Sequence, residues 1–266
     1  MKIGFIGAGN MASAMIGGLI KSKLVKPDNI IVSAKTEKTL SSVKINFNTN
    51  TTKDSKEVVE KSDIIVIAVK PNIYDNVLNE VINKIDNKKI IITIAAGKSI
   101  KNIEDIIGID KKIVRTMPNT PCLVGEGMSA ICPNNNIDEK DLSIVKSIFD
   151  SFGKSEIVNE NLMDAVIGGS GSSPAYVFMF IEAMADACVL NGMPRDKAYK
   201  FCSQAVLGAA KMVLDTGTHP GELKDRVCSP GGTTIEAVRV LEEEGMRKSV
   251  IKAINACIDK SKEMSK

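Results

Sequence analysis

The sequence lacks the features on which nucleic-acid recognition depends. It contains no tryptophan, and its aromatic residues amount to 4%, so the stacking platforms that hold single-stranded bases are hard to build. Its 35 basic and 32 acidic residues give a formal charge of only +3, and the lysines are spread along the chain instead of forming a basic stripe. We therefore expect no nucleic-acid partner.

Few side chains are available for a metal site. The chain has a single histidine, and its six cysteines form no C-x-x-C pair, the spacing that is typical of zinc ligands. We therefore expect no bound metal. Cysteines without such a pattern are ordinarily reduced thiols in the cytosol, so a cytoplasmic location is expected as well.

Long hydrophobic runs are also missing. The longest continuous apolar stretches, such as residues 64–69 and 90–96, are far shorter than the roughly 20 residues of a membrane-spanning helix. No signal-peptide pattern precedes the first strand-like segment. We expect no membrane partner and a mature protein that starts at residue 1.

The composition is that of a folded protein of one large or two ordinary domains. Its 266 residues are 44% hydrophobic and 25% charged, close to the average for globular proteins. Up to about residue 160, short β-branched runs alternate with amphipathic segments, the pattern of a parallel sheet covered by helices. The runs are continuously apolar, which indicates strands buried on both faces. The predicted strands are residues 2–6, 30–33, 64–69, 90–94, 113–116, 128–132 and 156–158, and the helices predicted among them are residues 11–20, 75–85 and 139–152.

The remainder of the chain follows a helical pattern. Strand-like runs stop after Asn161 and give way to long segments rich in Ala, Met, Leu and Val. We predict one helix over residues 173–191 and a second over about 194–217. The first is apolar around most of its circumference and must be buried. Because so short a helical domain can hardly surround it, a partner chain is the expected cover.

A glycine-rich loop follows the first predicted strand. Residues 7–12 read G-x-G-x-x-A and open the first predicted helix. In that context Gly7 allows a tight turn, Gly9 lets the backbone approach a pyrophosphate, and Ala12 allows close packing of helix on strand. The alternative is a purely structural turn, but the position between strand and helix favours a dinucleotide with its anion at the helix N-terminus.

The end of the second predicted strand bears on which dinucleotide is bound. An acidic residue there would hold the ribose 2′-hydroxyl of NAD, but Ser33, Lys35 and Thr36 stand at this point. Two hydroxyls and a cation favour the 2′-phosphate of NADP(H), with NAD(H) as the weaker alternative. In the opposite interpretation, Lys35 is an ordinary solvated lysine and Glu37 holds the ribose.

Five further motifs follow one another along the chain. They are residues 68–71 (AVKP), 95–97 (AAG), 115–121 (RTMPNTP), 168–176 (GGSGSSPAY) and 219–235 (HPGELKDRVCSPGGTTI). Together they closely resemble the pyrroline-5-carboxylate reductase family. The resemblance implies an α/β fold in which a Rossmann-type doubly wound sheet, residues 1–161, binds NADP. An all-helical C-terminal domain, residues 162–266, would bind the substrate and form a homodimer, with a higher ring of dimers as an open alternative.

The resemblance also implies a reaction and the residues that perform it. The protein would be an oxidoreductase that reduces a cyclic imine, 1-pyrroline-5-carboxylate, to L-proline with NADPH, the last step of proline biosynthesis. The cofactor-binding residues would be Ile6, Gly7, Ala8, Gly9, Asn10, Met11, Ser33, Ser55, Ala68, Val69, Lys70, Pro71, Ala95, Ala96 and Gly97. The substrate-binding residues would be Asn119, Ser229, Gly232, Thr233 and Thr234. Thr234 would be catalytic, with its hydroxyl on the imine nitrogen. Ser55 stands where many relatives have an asparagine, which leaves its cofactor contact open.

The segment around Ser229 can be interpreted without the family. It precedes an apolar-periodic run that begins at Ile235 and so stands at a helix N-terminus, where backbone donors and the helix dipole favour a carboxylate. Thr233 and Glu236, however, have the spacing of a capping box, which needs no ligand. The residues alone leave the two interpretations evenly matched, and the resemblance favours the substrate.

Other functions are alternatives to this one. His219 invites assignment as a general base, although it precedes Pro-Gly in a turn, where a histidine more often starts a helix. A β-hydroxyacid dehydrogenase of similar build would carry a catalytic lysine on the first long helix after the α/β domain, and residues 168–182 contain none. A dinucleotide sensor would keep the glycine loop and lose turnover.

Overall fold

The computed structural model describes residues 1–264, and the first part of the chain is built on one eight-stranded sheet. The strands are β1 (Ile3–Ile6), β2 (Ile30–Ser33), β3 (Asn50–Thr52), β4 (Ile64–Ile67), β5 (Ile90–Thr93), β6 (Lys112–Met117), β7 (Gly127–Pro133) and β8 (Gly153–Ile157). Their order across the sheet is β3-β2-β1-β4-β5-β6-β7-β8. Neighbouring strands are parallel apart from β6 and β7, which are antiparallel. The order reverses at β1, and doubly wound sheets bind ligands at such a reversal, beyond the carboxyl ends of the strands.

Helices connect these strands and make up most of the remaining chain. Those that accompany the sheet are α1 (Asn10–Lys21), α2 (Glu37–Phe47), α3 (Ser55–Lys61), α4 (Pro71–Val81), α5 (Ile100–Ile107), α6 (Glu139–Asp150) and α7 (Met163–Val166). Those that follow are α8 (Ser173–Leu190), α9 (Arg195–Thr216), α10 (Pro220–Val227), α11 (Thr233–Glu243) and α12 (Met246–Met264). Short 3-10 helices lie at Pro27–Asn29, Ile82–Lys84, Thr120–Val124 and Glu160–Leu162, and a π-helical turn spans Ile167–Gly171.

The sheet is buried on both faces, as its continuously apolar strands predict. All residues of β1, β2, β4 and β5 are buried. Phe5 and Met15 of α1 belong to the hydrophobic core on one face, and Ile65 and Tyr74 of α4 belong to the core on the other. Burial of one such side chain contributes about 1.5 to 3 kcal/mol. The apolar faces of α1 and α4 thereby fix the two helices that begin at the carboxyl edge of the sheet.

The α/β class is confirmed, but four elements lie outside the sequence prediction. Each predicted strand is present with shifted ends, and so are the three predicted helices. The apolar pattern does not predict β3, α2, α3 or α5. β3 consists of one Asn and two Thr residues at the edge of the sheet, and α2 buries only Leu40 and Val43. So few buried positions produce no readable period.

The described residues divide into two compact units. The first contains Met1–Ser172 and the described residues from Cys257 onward, and the second is Ser173–Ala256. Residues just before the division pack with the sheet, since Met163 is 1% exposed and Ile167 is 8% exposed in its core. The packing division therefore falls later than the predicted boundary between residues 161 and 162, which stays a prediction.

The second unit is helical and has little core of its own. The predicted helices over residues 173–191 and 194–217 are confirmed as α8 and α9, which pack around Ala185, Ala198 and Cys202. α8 is apolar around most of its circumference, yet Phe178 is 63% exposed and Met179 is 69% exposed in the single chain. One chain alone therefore leaves uncovered the helix that the sequence predicts to be buried.

One helical stretch has the length and hydropathy that a membrane span needs. It covers Glu160–Leu190, with a mean hydropathy of 1.4 over its most apolar part. The expectation that no segment is long enough is therefore wrong on length and composition, because polar residues divide the stretch into short apolar runs. The criterion is also met by buried helices of proteins outside membranes, and Met163 and Ile167 of this stretch lie in the core of the sheet.

Candidate active site

The turn after β1 joins three strands at the carboxyl edge of the sheet. The Gly7 amide donates to the Ser33 carbonyl at 2.9 Å, and the Ala68 amide donates to the Ile6 carbonyl at 2.8 Å. Gly7 has a φ of +101°, and a Cβ atom there would lie 2.5 Å from the Ala68 carbonyl oxygen. No residue with a side chain fits this conformation and this approach without strain. The tight turn that the glycine motif predicts is present.

Gly9 stands in open space at the start of α1. It is the N-cap residue, it contributes no side-chain cap, and the first turn of α1 contains no acidic residue. A Cβ atom at Gly9 would meet no protein atom within 4 Å. The first N–H groups of a helix have no partner within it, so this end of α1 is suited to an anion.

A cleft of about 370 Å³ lies at this edge. Its lining residues are Ile6, Gly7, Ala8, Gly9, Ser33, Ala34, Lys35, Thr36, Thr39, Lys53, Ser55, Ala68, Val69, Lys70, Ile73, Val77 and Glu80. It brings together most of the predicted cofactor-binding residues. The predicted residues outside its lining are Asn10, Met11, Pro71, Ala95, Ala96 and Gly97. Their contact with a cofactor stays a prediction.

Hydroxyl groups line the side of the cleft formed by β2 and α3. Ser33 is 2% exposed, and its Oγ lies 3.3 Å from the Oγ of Ser55, the first residue of α3. Thr36 is the N-cap of α2 and accepts a hydrogen bond from the Thr39 amide at 3.2 Å. These contacts hold the hydroxyls in place beside the backbone of β2.

Two lysines stand at the same side, and the sequence analysis identifies only one of them. Lys35 is exposed. Lys53 follows β3 and forms an ion pair with Glu37 at 2.8 Å. Glu37, the alternative ribose ligand, is absent from the cleft lining, whereas Lys53 is part of it. An exposed pair of this kind contributes about 0 to 1 kcal/mol, so an anionic ligand could displace Glu37 from Lys53 at little cost.

The ends of β4 and β5 extend this edge. Lys70 is the N-cap of α4, which starts at Pro71. Gly97 has a φ of +75°, and a Cβ atom there would lie 2.9 Å from the carbonyl oxygen of Met264 in α12. The backbone after β5 therefore admits only glycine at this position, which gives the AAG motif a structural reason besides any cofactor.

Asn119 lies where both ends of its side chain are engaged by the protein. It is 8% exposed, its Oδ1 accepts from the Met128 amide at 2.9 Å, and its Nδ2 donates to the Ser170 carbonyl at 3.3 Å. The side chain thus ties the segment after β6 to β7 and to the π-helical turn. Its predicted role in substrate binding stays a prediction beside this structural one.

In the helical unit, a tight turn precedes α11. The Gly232 amide donates to the Ser229 carbonyl at 3.0 Å, and Gly231 has a φ of +67°. Pro followed by a left-handed Gly is typical of a type II turn. A Cβ atom at Gly232 would overlap the Ser229 hydroxyl, so glycine at position 232 keeps that hydroxyl beside the start of the helix.

The capping box that Thr233 and Glu236 predict is not formed. Gly232 is the N-cap of α11, without a side-chain cap. Glu236 pairs instead with Arg239 at 2.7 Å, which lowers the pKa of that carboxyl group. The capping interpretation is therefore wrong, because the carboxylate finds a cation on its own helix. The first N–H groups of α11 are left for a ligand, and half-buried Thr234 lies one residue into the helix.

His219 has a structural position that accounts for it. It is the N-cap of α10, and its Nδ1 accepts a hydrogen bond from the Gly221 amide at 3.1 Å. A ring nitrogen that accepts this bond is not available as a general base. The interpretation of His219 as a residue that starts a helix is confirmed.

A glycine loop at the strand-order reversal, opening on a cleft, defines a Rossmann-type dinucleotide-binding protein. Two family models match the chain. One, "NADP oxidoreductase coenzyme F420-dependent", matches residues 2–97, and the other, "Pyrroline-5-carboxylate reductase dimerisation", matches residues 160–264.

Individual relatives match over the full length. The pyrroline-5-carboxylate reductase of Escherichia coli (strain K12) is 51% identical, covering 100% of this chain and 98% of its own, and that of Methanosarcina acetivorans is 45% identical with the same coverage. The crystal structure of Plasmodium falciparum pyrroline carboxylate reductase with NADP bound has a TM-score of 0.92 at 36% identity, covering 100% of this chain and 98% of that one. The chain belongs to the pyrroline-5-carboxylate reductase family.

Alanine at each loop glycine should separate packing from ligand approach. Gly7→Ala places a side chain at positive φ against the Ala68 carbonyl, so we expect the free energy of unfolding to fall by about 1 to 3 kcal/mol. Gly9→Ala meets open space and should leave that free energy unchanged. Urea unfolding of both variants measures the difference. A Gly9→Ala protein as unstable as Gly7→Ala would show that packing, not ligand approach, requires glycine at position 9.

Proposed function

We propose that this protein reduces 1-pyrroline-5-carboxylate to L-proline with NADPH, the last step of proline biosynthesis. The observation that carries the proposal is the uncapped N-terminus of α11, with Ser229 and Thr234 beside it. Full-length likeness to reductases of that name supports it, as does the relative that has NADP bound.

The residues at α11 supply what the substrate needs. Its carboxylate would accept hydrogen bonds from the Ser229 hydroxyl and the Thr233 amide, strengthened by the helix dipole. The Gly232 amide already closes the turn, so its contact with substrate is the less direct part of the proposal. The Thr234 hydroxyl would donate to the ring nitrogen, which gains a proton as the C=N bond is reduced.

The cleft in the first unit would hold the cofactor. Its pyrophosphate would lie at the N-terminus of α1 beside Gly9, and its 2′-phosphate beside Ser33, Lys35 and Lys53. When bound, NADPH supplies the hydride for the ring carbon. The backbone of Ala68 and the segment from Ala95 would line the path toward the nicotinamide.

An NADPH oxidation assay tests the reaction itself. With 1-pyrroline-5-carboxylate we expect turnover, and with hydroxyisobutyrate or no substrate we expect none. Oxidation of hydroxyisobutyrate by NADP⁺ would instead indicate a β-hydroxyacid dehydrogenase. Dinucleotide binding without any turnover would indicate a sensor.

The cations at the cleft should determine cofactor preference. A charge-assisted contact with a phosphate contributes about 1.5 to 3 kcal/mol, roughly ten- to a hundredfold in affinity. We expect wild type to prefer NADPH, Lys35→Glu to narrow or reverse that preference, and Lys53→Gln to weaken it. Steady-state kcat/KM with both cofactors measures this.

Lys38→Gln is the matched control for these variants. Lys38 is an exposed lysine of α2 outside the cleft lining, so its replacement should leave the preference unchanged. Equal or better kcat/KM of the wild type with NADH would contradict the assignment of a 2′-phosphate site.

Substitutions at α11 should separate proton supply from binding. General acid assistance contributes about 10² to 10⁴ in rate, whereas a neutral hydrogen bond contributes about 0.5 to 1.5 kcal/mol. Thr234→Ala should therefore lower kcat by about a hundredfold or more if the threonine transfers the proton, and by about tenfold if it only orients an iminium. Ser229→Ala should act mainly on KM, since it removes binding shared by the ground and transition states.

The pH dependence provides a second criterion for Thr234. Protonated imine is scarce at alkaline pH, so the loss caused by Thr234→Ala should grow as the pH rises. Near-wild-type kcat/KM of Thr234→Ala from about pH 6 to 9 would contradict a catalytic role.

We also propose a cytoplasmic homodimer formed through the helical unit. The uncovered apolar surface of α8 supports this, as does the match of residues 160–264 to a dimerisation domain. That match includes the stretch Glu160–Leu190, whose hydropathy is then explained by subunit contact without a membrane. A higher ring of dimers is compatible with the same surface.

A charge on the uncovered face of α8 should prevent this assembly. Phe178→Glu buries a carboxylate at the proposed interface, so we expect monomers and loss of activity. Ile45→Glu is the matched control, because Ile45 is 83% exposed on α2 in the first unit. Sedimentation equilibrium measures both variants. A monomeric, fully active wild type would contradict the proposal.

A further inference from the structure

Two cysteine side chains of the helical unit face each other across α8 and α9. The Sγ atoms of Cys188 and Cys202 are 3.9 Å apart, which is contact distance for two sulfur atoms. Ala185 and Ala198 are fully buried in the same cluster. Such small side chains allow the two helices to approach closely. The proposed reduction of an imine uses neither thiol.

We propose that Cys188 and Cys202 form a dithiol site that closes to a disulfide by exchange with a low-molecular-weight disulfide. An S–S bond is about 2.05 Å long, so a modest rotation of each side chain brings the sulfur atoms into bonding distance. Both residues lie within one compact unit, and closure therefore needs no movement of one unit against the other.

The two thiols differ in what can reach them. Cys202 is 4% exposed, whereas Cys188 is only partly buried. Burial, and then the neighbouring Cys188 sulfur, raise the pKa of the Cys202 thiol. Cys188 is therefore the thiol that reacts first with a dissolved disulfide, and Cys202 is the one that resolves the product.

The exchange proceeds in two balanced steps. The Cys188 thiolate attacks one sulfur of the small disulfide, forms a mixed disulfide and releases one small thiolate. The Cys202 sulfur, after losing its proton to solvent, attacks the Sγ of Cys188 and releases the second. The protein loses two electrons and two protons, and the small disulfide becomes two thiols.

Closure would join α8 covalently to α9 among apolar neighbours. Ile181, Met184, Val189 and Met193 surround the pair, so the bond would form without displacing a charged group of that cluster. A cross-link between the two helices restricts the unfolded chain. The oxidised protein should therefore unfold at a higher temperature than the reduced one.

The test uses the full-length protein and oxidised glutathione as the probe. After incubation, free thiols are alkylated and the peptides are identified by mass spectrometry. We expect the wild type to lose two of its six thiols, to yield a peptide pair linked through Cys188 and Cys202, and to retain no glutathione there. Dithiothreitol should restore all six thiols and the lower unfolding temperature.

Two variants complete the experiment. Cys202→Ser should keep glutathione attached to Cys188, because no second thiol displaces it. Cys228→Ser is the matched control, since Cys228 is also a partly buried cysteine of the helical unit, and it should close like the wild type. Six alkylated thiols after incubation, glutathione retained on wild-type Cys188, or a link to Cys228 in place of Cys202 would each overturn the proposal.

Discussion

The approach of the Gly7 backbone to the Ala68 carbonyl is the contact on which the cofactor cleft depends. A Cβ atom at position 7 would lie 2.5 Å from that oxygen, so a side chain there would push β1 and β4 apart at their carboxyl ends. The same turn binds Ser33 at the end of β2. Three strand ends, the start of α1 and the cleft are therefore held together by one residue without a side chain.

The helical unit depends on a different constraint, the shortage of partners for its own apolar surface. Its buried hydrophobic residues are few, and large side chains such as Phe178 and Met179 are uncovered in the single chain. Apolar burial is the main favourable term in folding. Under the homodimer proposed above, the second chain supplies that burial, and the loop from Ser229 owes its stability to assembly as well as to its own turn.

Sequence predicts the parts of this structure whose physical cause is local or strongly periodic. β4 and β5 could be predicted because burial on both faces leaves unbroken runs of Ile and Val. β3 and α2 could not, because each has few buried residues. Lys53 escapes prediction for a related reason: it follows a short polar edge strand, and only the sheet brings it beside Ser55.

The site at α11 shows where a local pattern misleads. Thr233 and Glu236 have capping-box spacing, but Arg239 on the next turn pairs with the carboxylate. Asn119 shows the same limit at longer range, since its partners Met128 and Ser170 are distant in sequence. Pattern identifies the segment, whereas the competition among partners decides what each side chain does.

The central claim is that the N-terminus of α11 binds the substrate carboxylate. The most direct measurement compares kcat/KM for 1-pyrroline-5-carboxylate with kcat/KM for 1-pyrroline, which has the same imine and no carboxylate. Hydrogen bonds to a charged group contribute about 1.5 to 3 kcal/mol each, so the account predicts that 1-pyrroline is poorer by about a hundredfold or more. It also predicts a smaller difference in Ser229→Ala. Equal kcat/KM for the two imines in the wild-type protein would contradict it.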